Sequence, residues 1–299
     1  MKRHLPVLAV ILLATGVCSG QTKYRDAEVG INLGFSNFLG DLGGSRMEGR
    51  ALWWDIDPEV TRPAIGVIYR QEVVPHISVR LNAYYTQIRG ADSLSENDFR
   101  SYRNLSFKSP LTEVCLYVDY TLRRLTGPNR ERFTPFVYAG AGMCWFNPQA
   151  LYEGQWVELQ PLGTEGQGLP QYPDRQPYAK YTFVFPFGGG IKYLTRSNWV
   201  FGMETASRLS LSDYMDDVSN SYPNPDYFFG FYDPATATMV AALSDMSDHT
   251  RPDLISLETG RGNPKNRDAY VLGGLFTITY HFDQVIRPKP GSCFFKEKR

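Results

Sequence analysis

The connections between the candidate β-strands of this 299-residue chain alternate strictly between long and short. Eight segments show the alternation of apolar and polar residues that is typical of a β-strand. The first, third, fifth and seventh connections are long, and the others are short turns. In an antiparallel meander this order places every long loop at one end, which is typical of outer-membrane β-barrels and has no reason to occur in a β-sandwich. The predicted strands are Glu28–Phe38, Ala64–Val73, Ile77–Arg89, Thr112–Arg123, Phe133–Cys144, Lys180–Leu194, Trp199–Ser210 and Asp268–Phe282.

The two faces of these strands differ in composition. One face carries Val, Ile, Leu, Phe and Tyr, and the other carries Gly, Ser, Thr and Asn. A soluble lipocalin-like barrel would turn the apolar face inward, whereas a membrane barrel turns it toward lipid. Glycine on the polar face suits the crowded lumen of an eight-stranded barrel, and aromatic residues near the strand ends are typical of interfacial girdles. The sequence therefore predicts an all-β fold: an eight-stranded antiparallel transmembrane up-and-down β-barrel with long extracellular loops and short periplasmic turns, in contact with outer-membrane lipids.

The polar face also carries a balanced set of charges. Four acidic and four basic residues are expected to point into the lumen, where unpaired ions are costly and opposite charges should pair. The sequence therefore predicts a plugged lumen without an open pore. A one-residue error in register would instead turn these side chains outward. The predicted lumen ion network consists of Glu28, Arg70, Arg80, Glu113, Asp119, Lys192, Glu204 and Arg208.

The N-terminus has the pattern of a secretory signal peptide. A short basic start precedes the 13-residue apolar run from Leu5 to Val17, which is too short to span a bilayer. Small residues follow, and cleavage is expected near Gly20 and Gln21. Lipidation of Cys18 is the weaker alternative because Val17 precedes it. The expected organisation is a signal peptide over residues 1–20, a barrel domain over 21–282 and a periplasmic C-terminal tail over 283–299.

Composition and motifs exclude several classes of function. Lys+Arg 31 balance Asp+Glu 31, so the chain is not a polybasic nucleic-acid binder. G-x-S-x-G, H-E-x-x-H and C-x-x-C motifs do not occur in the sequence. We therefore expect no enzymatic activity, no cofactor and no small-molecule substrate. The glycine-rich segment Gly163–Gly168 lacks the Lys-Ser/Thr of a phosphate-binding loop and indicates a bent loop.

One loop contains an acidic cluster with two interpretations. Asp213, Asp216 and Asp217, with Asp245 and Asp248 later in the same loop, could ligate Ca²⁺ through oxygen atoms, but their spacing is not that of an EF-hand. A solvated acidic loop is the favoured interpretation, and no metal site is predicted.

The cysteines leave the redox state open. Cys115 and Cys144 lie on strands that flank one short turn, so they form either a disulfide or two buried free thiols. If they pair, Cys293 in the tail is left over and could bond to a periplasmic partner. Basic residues at the same end could dock an acidic partner or face lipid headgroups. The candidate partner contacts are Arg124, Arg130, Arg132, Arg196 and Cys293.

Many short segments, in order along the chain, resemble the PorG-like family of outer-membrane barrels of the type IX secretion and gliding machinery. The most specific is Leu159–Gly168 (LQPLGTEGQG). The others are Gly34–Gly43, Arg62–Arg70, His76–Tyr84, Asn104–Phe107, Phe133–Gly142, Phe146–Pro148, Phe185–Tyr193, Ser212–Ser219 with Ser221–Tyr222, Ala241–Asp245, Arg261–Gly262 and the final strand.

The resemblance implies a non-enzymatic role as an outer-membrane component of that machinery. The protein would anchor the periplasmic ring, which is built from a ring lipoprotein and a soluble ring protein (PorK- and PorN-like). The alternative is a stand-alone OmpA/OmpX-like outer-membrane barrel with an adhesive or structural role through its long surface loops.

Overall fold

A computed structural model describes residues 23–42, 58–125, 131–251, 253–257, 259–265 and 267–286, without the side chains of 23–25 and 283–286. The predicted signal peptide, Arg130, Cys293 and the tail from residue 287 lie outside the described residues.

Eight antiparallel strands form a closed barrel. Each strand pairs with the next along the chain, and the last pairs with the first. This architecture confirms the predicted fold. The barrel strands are β1 (Lys23–Leu39), β2 (Arg62–Val74), β3 (Ile77–Ala91), β4 (Ser106–Thr121), β5 (Phe133–Phe146), β8 (Tyr181–Leu194), β9 (Trp199–Ser210) and β10 (Ala269–Ile286), and the third long loop adds a hairpin of β6 (Gln149–Tyr152) and β7 (Gln155–Glu158).

The largest differences from the predicted strands lie at strand ends. β4 begins at Ser106, six residues before the predicted start, and pairs with β3 up to Ala91. The part of a strand that extends beyond the bilayer has no side in contact with lipid, so its outward positions need not be apolar. The polar residues Lys108 and Ser109 therefore interrupt the apolar–polar alternation by which the strand is recognised. β10 continues to Ile286, beyond the predicted end at Phe282.

The long loops contain short helices. They are α1 (Asp98–Arg103), α2 (Asp226–Phe229) and α3 (Pro234–Ser244), with 3₁₀ turns at Asp92–Leu94 and Gln160–Leu162. Among the described residues, no helix has the length and hydrophobicity needed to cross a bilayer.

The exterior of the barrel is apolar. Side chains such as Val67, Leu116 and Phe183 are more than half exposed and alternate with buried lumen residues. In a chain of this length, a continuous band of exposed aliphatic and aromatic residues around a closed sheet is the surface that a lipid bilayer covers. The soluble-barrel alternative, which puts the apolar face inside, is therefore wrong.

Aromatic residues mark both edges of this band. One row crosses four strands at the long-loop end, and three of its four members are aromatic: Tyr85, Trp145 and Tyr181, with Thr112 on the strand between Tyr85 and Trp145. At the short-turn end, Tyr120 of β4 is half exposed. From Thr112 to Tyr120, β4 provides about nine residues, the number that a tilted strand needs to cross the hydrocarbon core. The protein is an outer-membrane β-barrel.

Glycine on the lumen face makes room for large side chains. A Cβ atom at Gly66 would lie 2.4 Å from the Tyr84 ring. The Tyr84 hydroxyl accepts hydrogen bonds from Asn32 and Asn82, each at 2.8 Å. The glycines that the sequence places on the polar face therefore permit a lumen packed with side chains.

Candidate functional site: a closed lumen beneath an ordered loop cap

In the part of the lumen nearer the short-turn end, the charged side chains lie around Arg70. Its Nε donates a hydrogen bond to Asp119 at 2.6 Å, and its Nη1 pairs with Glu28. The Lys192 ammonium lies 3.7 Å from the same Glu28 carboxylate. All four side chains are buried, so their charges are compensated by one another instead of by water.

Arg80 occupies the middle of the lumen and is fully buried. Its Nε lies 3.1 Å from Asp119, and its Nη1 contacts both carboxylate oxygens of Glu204 at 2.8 and 3.0 Å. The guanidinium lies near the rings of Tyr117 and Tyr138, at 4.4 and 4.2 Å from their centroids, and the two rings meet each other edge-on with centroids 5.6 Å apart. Both rings therefore supply favourable cation–π contacts to the cation.

The part of the lumen nearer the long-loop end contains a further ion pair. Arg208 donates from Nε to Glu113 at 2.8 Å, and the hydroxyl of Tyr270 donates to the same carboxylate. The structure thus places all eight predicted lumen charges inside the barrel and brings them into two groups. The first comprises Glu28, Arg70, Asp119, Arg80, Glu204 and Lys192, and the second comprises Glu113 and Arg208.

A planar-bilayer recording of the purified protein is expected to show no porin-like conductance. The ion-paired and aromatic side chains fill the cross-section, and the cavity at the short-turn end has a volume of only about 30 Å³. That volume corresponds to about one water molecule. Stable single-channel steps at neutral pH would contradict a closed lumen, and a porin reconstituted in the same bilayers provides the positive control.

The short-turn end presents only part of the predicted basic surface. Arg124 is paired with Glu72 at 3.3 Å, so its charge is partly compensated. Arg132 and Arg196 are exposed. Of the predicted partner contacts that the structure describes, these two arginines are therefore the ones whose side chains are accessible to a protein partner or to lipid headgroups.

At the opposite end, the glycine-rich segment Gly163–Gly168 forms the centre of an ordered cap. Gly163, Gly166 and Gly168 have positive φ angles, which bend the loop so that Glu165 points inward. Glu165 is fully buried and accepts hydrogen bonds at 2.9 Å from the backbone amides of Ser219 and Asn220. The loop therefore positions a carboxylate, and the bent-loop interpretation of this segment agrees with the geometry.

Two buried arginines connect this centre to the other long loops. Arg261 lies 3.3 Å from Glu165 and donates to the Asp217 carbonyl at 2.6 Å. Arg103 pairs with Asp92 at 2.6 Å and donates to the Asp41 carbonyl at 2.9 Å. The Arg261 carbonyl accepts a further hydrogen bond from Arg103. Residues from all four long loops thus meet in one polar network, which we call the loop cap.

The solvated-loop interpretation is wrong for the first three residues of the acidic cluster, whereas Asp248 is exposed. Asp213, Asp216 and Asp217 are buried. The Asp216 carboxylate accepts hydrogen bonds from the backbone amides of Val218 and Leu42, both at 3.1 Å. It therefore takes the place of water as the hydrogen-bond acceptor for these buried backbone groups. Among the described residues, no group of three or more His, Cys, Asp or Glu side chains has the geometry of a metal site.

Hydrogen exchange of the loop cap is expected to become faster as the pH rises from about 4 to about 7. Burial raises the pKa of Asp213 from 3.8 to about 7, although the Ser219 hydroxyl donates to it, and burial likewise raises the pKa of Asp217 to about 6. The folded cap therefore binds protons more tightly than the open loop. Its stability is fully present below pH about 4 and is lost as the pH passes the folded values.

Amide exchange of residues 213–220, corrected for intrinsic rates, measures this dependence. D213N keeps the side-chain shape and cannot ionise, so it should flatten the profile. An identical profile in wild type and D213N would contradict the assignment.

The two cysteines among the described residues are free thiols. Cys115 and Cys144 are both buried and unbonded. The register pairs Cys115 with Gly142 and Cys144 with Glu113, so the two cysteines are offset by one lumen-facing position. Of the two alternatives, the structure therefore shows the pair of buried thiols.

A family model described as "Domain of unknown function (DUF6089)" matches residues 2–231. The chain belongs to the DUF6089 family. The match includes seven of the eight barrel strands, and β10, which closes the barrel, follows the matched range. No curated protein matches the chain significantly.

Solved structures to which this DUF6089 chain is similar include three proteins at low identity. The attachment invasion locus protein Ail of Yersinia pestis has 10% identity and a TM-score of 0.35, over 86% of this chain and 99% of Ail. The N-terminal β-barrel domain of Pseudomonas aeruginosa OprF has 9% identity and a TM-score of 0.33, over 86% and 97%. Neisserial surface protein A has 10% identity and a TM-score of 0.34, over 87% and 96%.

The sequence pattern does not identify the central residues of the loop cap one by one. Glu165 lies within the glycine-rich segment and within Leu159–Gly168, and Arg261 lies within another segment that carries the family resemblance. Each is a charged residue next to glycine, in TEGQG and GRG. Glycine in a long loop indicates a bend, but it does not indicate that the charged residue beside it is buried.

Proposed function

We propose that this protein is a non-enzymatic outer-membrane component of the type IX secretion and gliding machinery. In this role the barrel anchors the periplasmic ring, built from a PorK-like lipoprotein and a PorN-like ring protein, to the outer membrane. The observation that carries the proposal is the convergence of separate resembling segments in the loop cap. Asp41, Leu105, Glu165, Asp217 and Arg261 come from five of these segments and lie in or next to one buried network.

This convergence supports the proposal because loops of small barrels are ordinarily the most variable part. A buried network that spans four loops requires all of its segments together, so similarity in one segment implies constraint on the others. The resemblance in five segments therefore reflects one structural unit instead of five independent coincidences.

The closed lumen also supports a role in attachment. A barrel filled by ion pairs does not conduct a folded or an unfolded polypeptide, so a contribution to secretion would come from its surfaces. The exposed Arg132 and Arg196 provide positive charge at the short-turn end, where a periplasmic ring would bind.

The test is an affinity purification of the tagged protein from crosslinked, gently solubilised outer membranes, with mass spectrometry of the bound proteins. We expect the ring lipoprotein and the ring protein to copurify with wild type. The double variant R132Q/R196Q should recover several-fold less of both. The matched control K180Q/K265Q removes the same charge from the long-loop end, where Lys265 is exposed and Lys180 is half-buried, and it should recover wild-type amounts.

Recovery of the barrel alone would reject the anchoring role and favour the alternative of a surface protein. One observation favours that alternative: the cap contains a cleft of about 450 Å³ lined by Tyr222, Pro223, Ala241, Ile255 and Leu257. A cleft of this size on the extracellular side is suited to binding through the loops. Binding of tagged protein to host surfaces, without ring proteins, would be its readout.

A further inference from the structure

Two cations lie opposite each other on the outer surface of the barrel. The register pairs Arg89 of β3 with Lys108 of β4. Their neighbours Ile88 and Phe107 are buried, so Arg89 and Lys108 occupy the outward positions of their strands. Like charges directly opposite in an antiparallel pair destabilise it. No ion pair among the described residues includes either cation, and Glu158 of the adjacent hairpin is paired with Lys180 instead.

The height of this pair matches the headgroup layer. Arg89 follows Tyr85 by four residues, and Lys108 precedes Thr112 by four. Tyr85 and Thr112 are paired in the row that marks the extracellular edge of the apolar band. Four residues of strand correspond to about 13 Å before tilt is considered. The two cations therefore lie just outside the hydrocarbon, where the phosphate groups of the outer leaflet are found.

A tryptophan completes the surface. The Lys108 ammonium lies 3.8 Å from the centroid of the Trp156 ring, and the Arg89 guanidinium lies 5.7 Å from it. Trp156 pairs with Leu151 across the β6–β7 hairpin, and both are exposed. The opposite face of the hairpin packs Ala150 into the cap, which holds the tryptophan in place.

We propose that Arg89, Lys108 and Trp156 bind the phosphorylated sugar headgroup of an outer-leaflet glycolipid of the lipid A type. A phosphate between the two cations would neutralise their repulsion through charge-assisted hydrogen bonds. Trp156 and Leu151 would contact the sugar and the first methylenes of an acyl chain, as aromatic residues do at membrane interfaces. The site extends beyond the anchoring role and does not depend on it.

Native mass spectrometry of the full-length protein in detergent tests the proposal, with bisphosphorylated lipid A as the probe. Wild type should retain lipid A, and R89Q/K108Q should lose at least five-fold of the bound fraction. R132Q/R196Q removes the same charge at the other end of the barrel and should stay within two-fold of wild type. R89K/K108R keeps both charges and should retain binding. Removal of the phosphates from lipid A should weaken binding to the wild-type protein as much as the R89Q/K108Q substitutions weaken binding of intact lipid A.

Free phosphate is the other source of the same chemistry. Millimolar inorganic phosphate should not displace lipid A if the acyl chains contribute, whereas full displacement would assign the site to a soluble anion and overturn the lipid proposal. Equal lipid A retention by wild type and R89Q/K108Q would also overturn it. If the double variant fails to fold, the single variants R89Q and K108Q provide the same comparison, because each leaves one cation beside Trp156.

Discussion

Replacement of Arg80 by methionine is expected to destabilise the barrel by about 3–5 kcal/mol. Arg80 is fully buried and is the partner of Glu204, and it shares Asp119 with Arg70. Methionine keeps much of the volume but leaves Glu204 without its cation in the low-dielectric lumen. Urea unfolding of the protein folded into lipid vesicles, followed by tryptophan fluorescence, measures the loss.

Two further variants distinguish a charge effect from a packing effect. R196M removes an exposed arginine and should change the free energy of unfolding by less than about 0.5 kcal/mol. E204Q in the R80M background removes the uncompensated charge and should recover part of the lost stability. Wild-type stability of R80M would show that water solvates the carboxylates and that the lumen is open.

The E165Q variant is expected to open the loop cap while the barrel stays folded. Glu165 pairs with Arg261 and accepts the backbone amides of Ser219 and Asn220. The amide of glutamine is neutral and presents one oxygen, so Arg261 loses the nearer of its two carboxylate partners, keeping Asp217 at 3.8 Å, and one backbone amide loses its acceptor. Loss of one member of a buried ion pair costs about 3 kcal/mol, which corresponds to about 100-fold faster amide exchange in the cap.

Hydrogen exchange and limited proteolysis of the long loops measure this opening, and heat-modified gel migration reports whether the barrel is intact. E158Q is the control, because Glu158 is about half exposed and its pairing with Lys180 is screened by water. Unchanged exchange in E165Q would show that the cap is held by its other contacts. Loss of the folded gel band would show that cap and barrel unfold together.

The barrel and its lumen charges could be predicted from the sequence because both follow from a period of two. Once the alternation of the strands is known, Arg80 and Glu204 must both lie on the inner face of the barrel. Because an unpaired buried ion is costly, the two side chains are then expected to form an ion pair. The loop cap has no such period. Its contacts join residues far apart in sequence, such as Glu165 and Arg261, so no local pattern reports that the acidic segment around Asp216 is buried.

Short local signals nevertheless predict parts of the loops. Asp233 precedes Pro234 at the start of α3, and its carboxylate accepts the amides of Ala235 and Thr236. An Asp-Pro pair before small apolar residues is the recognisable start of a helix. The β6–β7 hairpin is harder to recognise, because its strands are only four residues long.

The pairing of β10 with β1 has a consequence for how the protein enters its membrane. This last seam runs from Lys23 and Ile286 at one end to Leu39 and Ala269 at the other, so it joins the two termini of the described chain. Lumen partners such as Arg80 and Glu204 also come from distant strands. A partly assembled sheet would hold these ions unpaired beside lipid tails, which is prohibitively unfavourable. Insertion is therefore expected to be all-or-none. The first and last strands, β1 and β10, would pair and close the barrel only when the whole sheet has formed.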